Sequence, residues 1–113
     1  PPKHGGAIVQ AVLQDTELTH LWHKEVAGMR DRINALRSAF VSNMAQRTRA
    51  RDFSFINDQR GMFSYSGLTK TQVENLKNNH SIYIVGSGRI NIAGISNANI
   101  DVLCDAIAAV MDD

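Results

Sequence analysis

Leu18, Trp22, Val26, Met29, Ile33, Leu36, Phe40 and Met44 recur every three or four residues, a spacing that sets them along one stripe of a helix. Lys24, Glu25, Arg30, Asp31, Arg32 and Arg37 fill the opposite face, so one side is expected to pack and the other to meet water. Asp15 stands ahead of the stripe as an N-cap, and Glu17 lies in the first turn, where the helix dipole favours negative charge. The pattern predicts a helix on the order of 45 Å long, more than one packing unit of this size accommodates. A shorter apolar stretch over residues 6–13 predicts a brief helix closed by Gln14 and Asp15.

Beyond Arg51 the period changes from helical to alternating. Residues 52–56 (DFSFI), 62–65 (MFSY), 82–85 (IYIV) and 89–93 (RINIA) each read as a strand, and residues 57–61 (NDQRG) as a turn. Thr69 and Gln72 have the T-x-x-Q spacing of a capping box, and Val73 and Leu76 give the helix that follows an apolar face as far as Asn78 and Asn79. Ser96 or Asn97 is the expected cap of a last helix that packs through Ile100, Leu103, Cys104, Ile107, Val110 and Met111. The predicted class is α/β: a long helix followed by a small mixed sheet packed by helices.

Composition narrows the partners more than the fold. The 113 residues are 43% hydrophobic and 20% charged with a net charge of +1, which fits one soluble globular unit and gives no field that implies nucleic acid or a membrane. Arg47, Arg49 and Arg51 cluster at the predicted end of the long helix with no aromatic side chain among them, which reads as solvated charge complementing the helix dipole rather than a phosphate-reading surface. No apolar run approaches the roughly 18 residues of a membrane span. Cys104 is the lone cysteine, so an internal disulfide is ruled out and a buried, inert thiol in a cytoplasmic protein is expected. The opening PPKHGG has neither an initiator methionine nor the features of a secretory signal, which points to a processed chain or a piece of a longer one.

Few residues suggest chemistry. Gly86, Gly88 and Gly94 do not form a dinucleotide fingerprint, because a strand rather than a helix follows them. His20 and His23 share a helix face but lack the further ligands of a metal site. His80 lies just past a predicted helix end. No serine has a G-x-S-x-G context, and Lys3, Lys24, Lys70 and Lys77 fall in loop or solvated helix positions, where an imine-forming amine is not activated. Arg89 stands apart: glycines on its N-terminal side let a ligand approach, and the strand behind it would hold its guanidinium still. A fixed fork of donors suits a carboxylate, although an intramolecular salt bridge or a solvated strand end would also satisfy an arginine there.

The segment GMFSYSGLTKTQVENLKNNHSIYIVGSGRINIAG, residues 61–94, resembles the C-terminal part of the aspartate and aromatic amino-acid aminotransferases, pyridoxal-phosphate enzymes of fold type I. GMFSYSGL, the SGR-x-N-x-AG strand and the PP-x-HG opening at residues 1–5 carry the likeness, supported by the Trp22-bearing helix and the tail NIDVLCDAIAAVM. It covers essentially all 113 residues but only the last portion of the family's longer chain. It implies that residues 1–27 end the cofactor-binding large domain and begin an interdomain helix, and that residues 28–113 form the C-terminal small domain.

By the same resemblance Arg89 binds the substrate's α-carboxylate and Phe63 lines the substrate pocket, with a place in the core as the alternative for Phe63. Pyridoxal 5'-phosphate, the lysine that carries it, and an arginine for the second carboxylate from the partner subunit of a homodimer belong to segments outside this sequence. The implied reaction joins L-aspartate with 2-oxoglutarate, or uses aromatic amino acids in the other branch of the subgroup. The 113 residues alone are expected to be inactive. A non-catalytic module that binds carboxylates or another chain is the reading from a different class.

Overall fold

A computed structural model describes residues 2–111, so Pro1 of the PP-x-HG opening lies outside the described residues. The chain divides into two compact units, one up to Arg32 and the other from Ile33. Among the described residues no helix is long and apolar enough to cross a membrane.

The first unit is helical. Helix α1 (Lys3–Gln14) begins three residues before the apolar stretch that predicted it, because the Pro2 carbonyl already accepts the Gly6 amide at 3.0 Å. Asp15 separates it from α2 (Thr16–Arg47) and caps the second helix as expected, its Oδ1 accepting the Leu18 amide at 3.0 Å. At 32 residues α2 is roughly 48 Å long. Its stripe changes character along its length: Leu18, Trp22, Val26 and Met29 are exposed, Ile33 and Leu36 half-buried, and Phe40 and Met44 fully buried.

In the second unit the core joins Phe40 and Met44 to Phe53, Ile56, Leu68, Val73, Leu76, Ile92, Cys104, Ile107 and Val110. Of the four segments read as strands, two pair. Strand β1 (Phe63–Tyr65) lies antiparallel to β2 (Arg89–Asn91), with Phe63 opposite Asn91, Ser64 opposite Ile90 and Tyr65 opposite Arg89. The DFSFI segment instead enters a 3₁₀ helix, Ser54–Asp58, because the Asp52 carboxylate accepts both the amide (2.8 Å) and the hydroxyl (3.0 Å) of Ser54. Phe53 and Ile56, three apart, are then the buried pair, where alternation had favoured Phe53 with Phe55. The IYIV segment keeps its alternation, with Ile82 and Ile84 half-buried and Tyr83 and Val85 exposed, but it has no ladder partner among the described residues. The last expected strand stops at Asn91, whose Oδ1 accepts the Ala93 amide and turns the chain into a 3₁₀ helix, Ile92–Gly94.

Helix α3 (Lys70–His80) has the expected capping box, with Thr69 Oγ1 accepting the Gln72 amide at 3.1 Å and Gln72 Oε1 accepting the Thr69 amide at 2.9 Å. It ends one residue past the Asn pair, at His80, and Ser81 follows in the left-handed conformation (φ 55°). Helix α4 (Ile100–Met111) packs through the predicted stripe. Ser96, one of the two expected caps, meets its entry through the backbone: the Ser96 carbonyl accepts the Ile100 amide at 3.0 Å, Asn99 Oδ1 accepts the Ser96 amide, and the Asn99 side-chain amide donates to the Gly94 carbonyl. Arg47, expected to be solvated, joins α2 to α4 through Asp105 at 2.6 Å and Asp101 at 2.9 Å. The Asp105 hydrogen bond leads in holding its pKa above the ordinary arginine value. Arg51 donates to the Gly67 carbonyl, and Arg49 is left exposed.

Candidate functional site

Three residue pairs make a short ribbon, yet its two faces differ sharply. Ser64 and Ile90 point into the core, while Phe63, Tyr65, Arg89 and Asn91 stand on the exposed face. Phe63 and Arg89 are diagonal neighbours on that face, within reach of one another across an antiparallel pair. The Arg89 guanidinium carbon sits 4.8 Å from the centre of the Phe63 ring, a cation–π contact that orients the fork without consuming its hydrogen-bond donors.

The turn before Arg89 is fixed by sequence chemistry. The Gly88 amide donates to the Val85 carbonyl at 2.8 Å, and the Gly88 carbonyl accepts the Ser66 amide at 2.9 Å as well as the Ser66 hydroxyl. Gly88 has φ +84°, and a β-carbon there would meet the Leu68 carbonyl and the Ser66 hydroxyl at 3.1 Å each. Glycine is therefore required at 88 by backbone conformation and by space together. Gly86 meets no such constraint.

An open cavity of about 450 Å³ adjoins the ribbon, walled by Phe63, Ile82, Ile84, Ile95 and Leu103 with Arg89 on its lining. Among the described residues Arg89 forms no ion pair, so the intramolecular salt bridge offered as an alternative for it is not made there. Phe63 is 48% exposed, which removes it from the core. An arginine with available donors beside an aromatic ring and an apolar wall can hold a carboxylate whose remaining part is apolar or lies beyond the ribbon.

Other candidates lie apart from this site. His20 and His23 are exposed on α2, His80 ends α3, and no group of three metal-binding side chains occurs among the described residues. Cys104 is fully buried on α4. Lys3, Lys24, Lys70 and Lys77 are all exposed, so none has the desolvated setting of an imine-forming amine, and nothing in the described residues fits a pyridoxal phosphate carrier.

One residue important to the ribbon lies on the face opposite to that expected. Arg37, assigned to the wet face of α2, is only 2% exposed. Its Nε and Nη2 donate to Ser64 Oγ at 3.1 and 3.0 Å, Nη2 donates to the Gly61 carbonyl at 2.6 Å, and Nη1 reaches Asn34 Oδ1 at 3.3 Å. Burial lowers its pKa from the ordinary arginine value. The signal was available: Arg37 is four residues after Ile33 and three before Phe40, on the packing stripe itself.

Comparison with known proteins agrees with the architecture. An aromatic-amino-acid aminotransferase from Burkholderia pseudomallei, solved covalently bound to pyridoxal phosphate, superposes with a TM-score of 0.94 at 53% identity, covering 98% of this chain and 28% of that one. The cytoplasmic aspartate aminotransferase of Saccharomyces cerevisiae superposes with a TM-score of 0.93 at 37% identity, over 99% of this chain and 27% of that one. The fold is thus that of a segment of the fold type I aminotransferases. In sequence, the aspartate aminotransferase of Haemophilus influenzae is 50% identical over 111 residues, 98% of this chain. The aromatic-amino-acid aminotransferase of Pseudomonas aeruginosa is 47% identical over all 113. The chain spans about 28% of the length of these relatives. The profile of the family "Aminotransferase class I and II" matches residues 2–107, and the chain belongs to that family.

Proposed function

We propose that this chain is the carboxylate-gripping C-terminal portion of a pyridoxal-phosphate-dependent aspartate aminotransferase, which exchanges an amino group between L-aspartate and 2-oxoglutarate. The observation that carries this reading is Arg89: exposed, without an ion pair among the described residues, and fixed between the Gly88 turn and the Phe63 ring. Its planar fork binds the substrate's α-carboxylate through two parallel hydrogen bonds, and Phe63 forms a wall of the pocket. Gripping the carboxylate fixes the orientation of the Cα–H bond that must be broken, and positioning of this kind supplies up to roughly 7–11 kcal/mol in ideal cases. Pyridoxal phosphate, when bound, supplies the electron sink for that step.

The lysine that carries the cofactor and the residues that hold its phosphate belong to segments outside the 113 residues, and the isolated chain is inactive on this reading. Residues 1–27 end the large domain and start the interdomain helix; residues 28–113 form the small domain, whose closure over substrate excludes water. The intact protein is a cytoplasmic homodimer in which the partner subunit contributes the arginine for the second carboxylate. Likeness to both branches of the family keeps aromatic amino acids as the second substrate reading.

Arg89→Lys in the full-length protein keeps the charge and removes the fork. The expected result is a fall in kcat/KM for L-aspartate of at least about a hundredfold. An unchanged value overturns the assignment. Parallel assays with L-aspartate and L-tyrosine separate the two substrate readings.

A further inference from the structure

We propose that Arg37 is a positioning residue for the Phe63–Arg89 site, acting from behind the ribbon. It makes no contact with the exposed face; what it holds is the stretch that carries Phe63. One guanidinium grips the Gly61 carbonyl on one side of Phe63 and the Ser64 hydroxyl on the other, so the residues flanking Phe63 are tied to a single rigid plane. Between them the Met62 carbonyl accepts the Ile92 amide at 2.9 Å, which joins the same stretch to the segment following β2.

The energetics argue against Arg37 serving only as core filler. A buried cation loses hydration, and a well-packed apolar residue of similar volume is often as stabilising or more so. Among the described residues Arg37 has no carboxylate partner to offset that cost, and its hydrogen bonds go to a hydroxyl, a carbonyl and an amide oxygen. What an apolar side chain cannot do is fix Gly61 and Ser64 at one separation. Gly61 has φ +88° with open space where a β-carbon would sit, so the entry to β1 is held by the guanidinium on the Gly61 carbonyl and by the Ile92 amide on the Met62 carbonyl. A ribbon of three residue pairs is marginal by itself, and its exposed face is the one bearing Phe63 and Arg89. Gln59 bridges the Tyr65 amide and carbonyl at the far end of β1 (2.9 and 3.1 Å), and on the buried face Ser64 meets Arg37. The base is firm: Phe40 and Met44, the next two stripe positions of the helix that carries Arg37, are fully buried in the core.

The inference rests on Arg89 being the carboxylate-binding residue, and the experiment keeps the two apart. In the full-length protein, Arg37→Lys retains a cation but cannot span both acceptors. KM for L-aspartate is expected to rise about tenfold and kcat to fall with it, because a shifted Phe63–Arg89 pair both weakens the grip and misorients the Cα–H bond. Ser64→Ala, a smaller change that removes the shared acceptor, is expected to move KM in the same direction and serves if the lysine variant does not fold. The double variant Arg37→Lys/Arg89→Lys is expected to be no worse than Arg89→Lys alone, since Arg37 acts through the residue already altered. Additive losses in the double variant, or an unchanged KM in folded Arg37→Lys and Ser64→Ala, overturn the positioning role and leave the carboxylate assignment standing. An Arg89→Lys variant of normal kcat/KM overturns the carboxylate assignment, and this proposal falls with it.

Discussion

Cys104 shows what burial does to one ionisable group. Its thiol is fully enclosed on the packing face of α4, and desolvation pushes its pKa from an ordinary value near 9 up to about 11, with nearby Arg47 pulling the other way. The folded state then holds the thiol proton more tightly than the unfolded chain does, so the protonated thiol favours folding fully below about pH 9, and the contribution is lost as pH rises toward 11. Unfolding of the native chain is therefore expected to steepen in its pH dependence between about 9 and about 11, and that extra slope should vanish in Cys104→Ala. Parallel pH profiles for the two proteins would contradict this account. The buried thiol was legible because Cys104 lies on an apolar stripe. Arg37 lies on such a stripe too, but a charged residue type outweighed its position, and its partners Gly61 and Ser64, 24 and 27 residues away, leave no local trace.

Among elements, the legible ones are those whose stabilising contacts are close in sequence. The Thr69–Gln72 box depends on residues three apart and is present in full. Thr69→Ala removes the hydroxyl that accepts the Gln72 amide and should cost about 1 kcal/mol of local stability, seen as roughly fivefold faster exchange of that amide. Unchanged exchange would mean that tertiary packing alone holds the first turn. Strands were harder to read, since a ladder needs a partner from elsewhere. Residues 62–65 and 89–93 found each other; residues 82–85 alternate just as well but pair with nothing described, and Asp52 diverted residues 52–56 into a 3₁₀ turn through bonds two residues long. The site followed the same rule: Arg89 and its glycine turn were local features, whereas the diagonal contact with Phe63 depended on the register of β1 against β2.

At the scale of the whole chain, the two units differ in what they bury. From Ile33 onward a continuous core forms, with nine side chains at 0 or 1% exposure including Phe40, Ile56, Leu76 and Ile107. Up to Arg32 none of the described residues is fully buried, and Ile8, Val9, Leu13, Leu21, Trp22 and Met29 stand 47–58% exposed. Helices without a buried face draw little stability from packing, and isolated helices of 12 residues are marginal in water. In the isolated 113-residue polypeptide, amides of α1 and the first half of α2 should exchange with solvent far faster than those of α3, α4 and the C-terminal half of α2. In the full-length protein, where on the proposed reading residues 1–27 pack within the large domain, protection should extend across both units. Hydrogen exchange followed segment by segment tests the contrast directly. Slow exchange over residues 3–32 in a monomeric isolated chain would show that the first unit is stable without the rest of the protein, and the assignment of residues 1–27 to a separate large domain would lose its support.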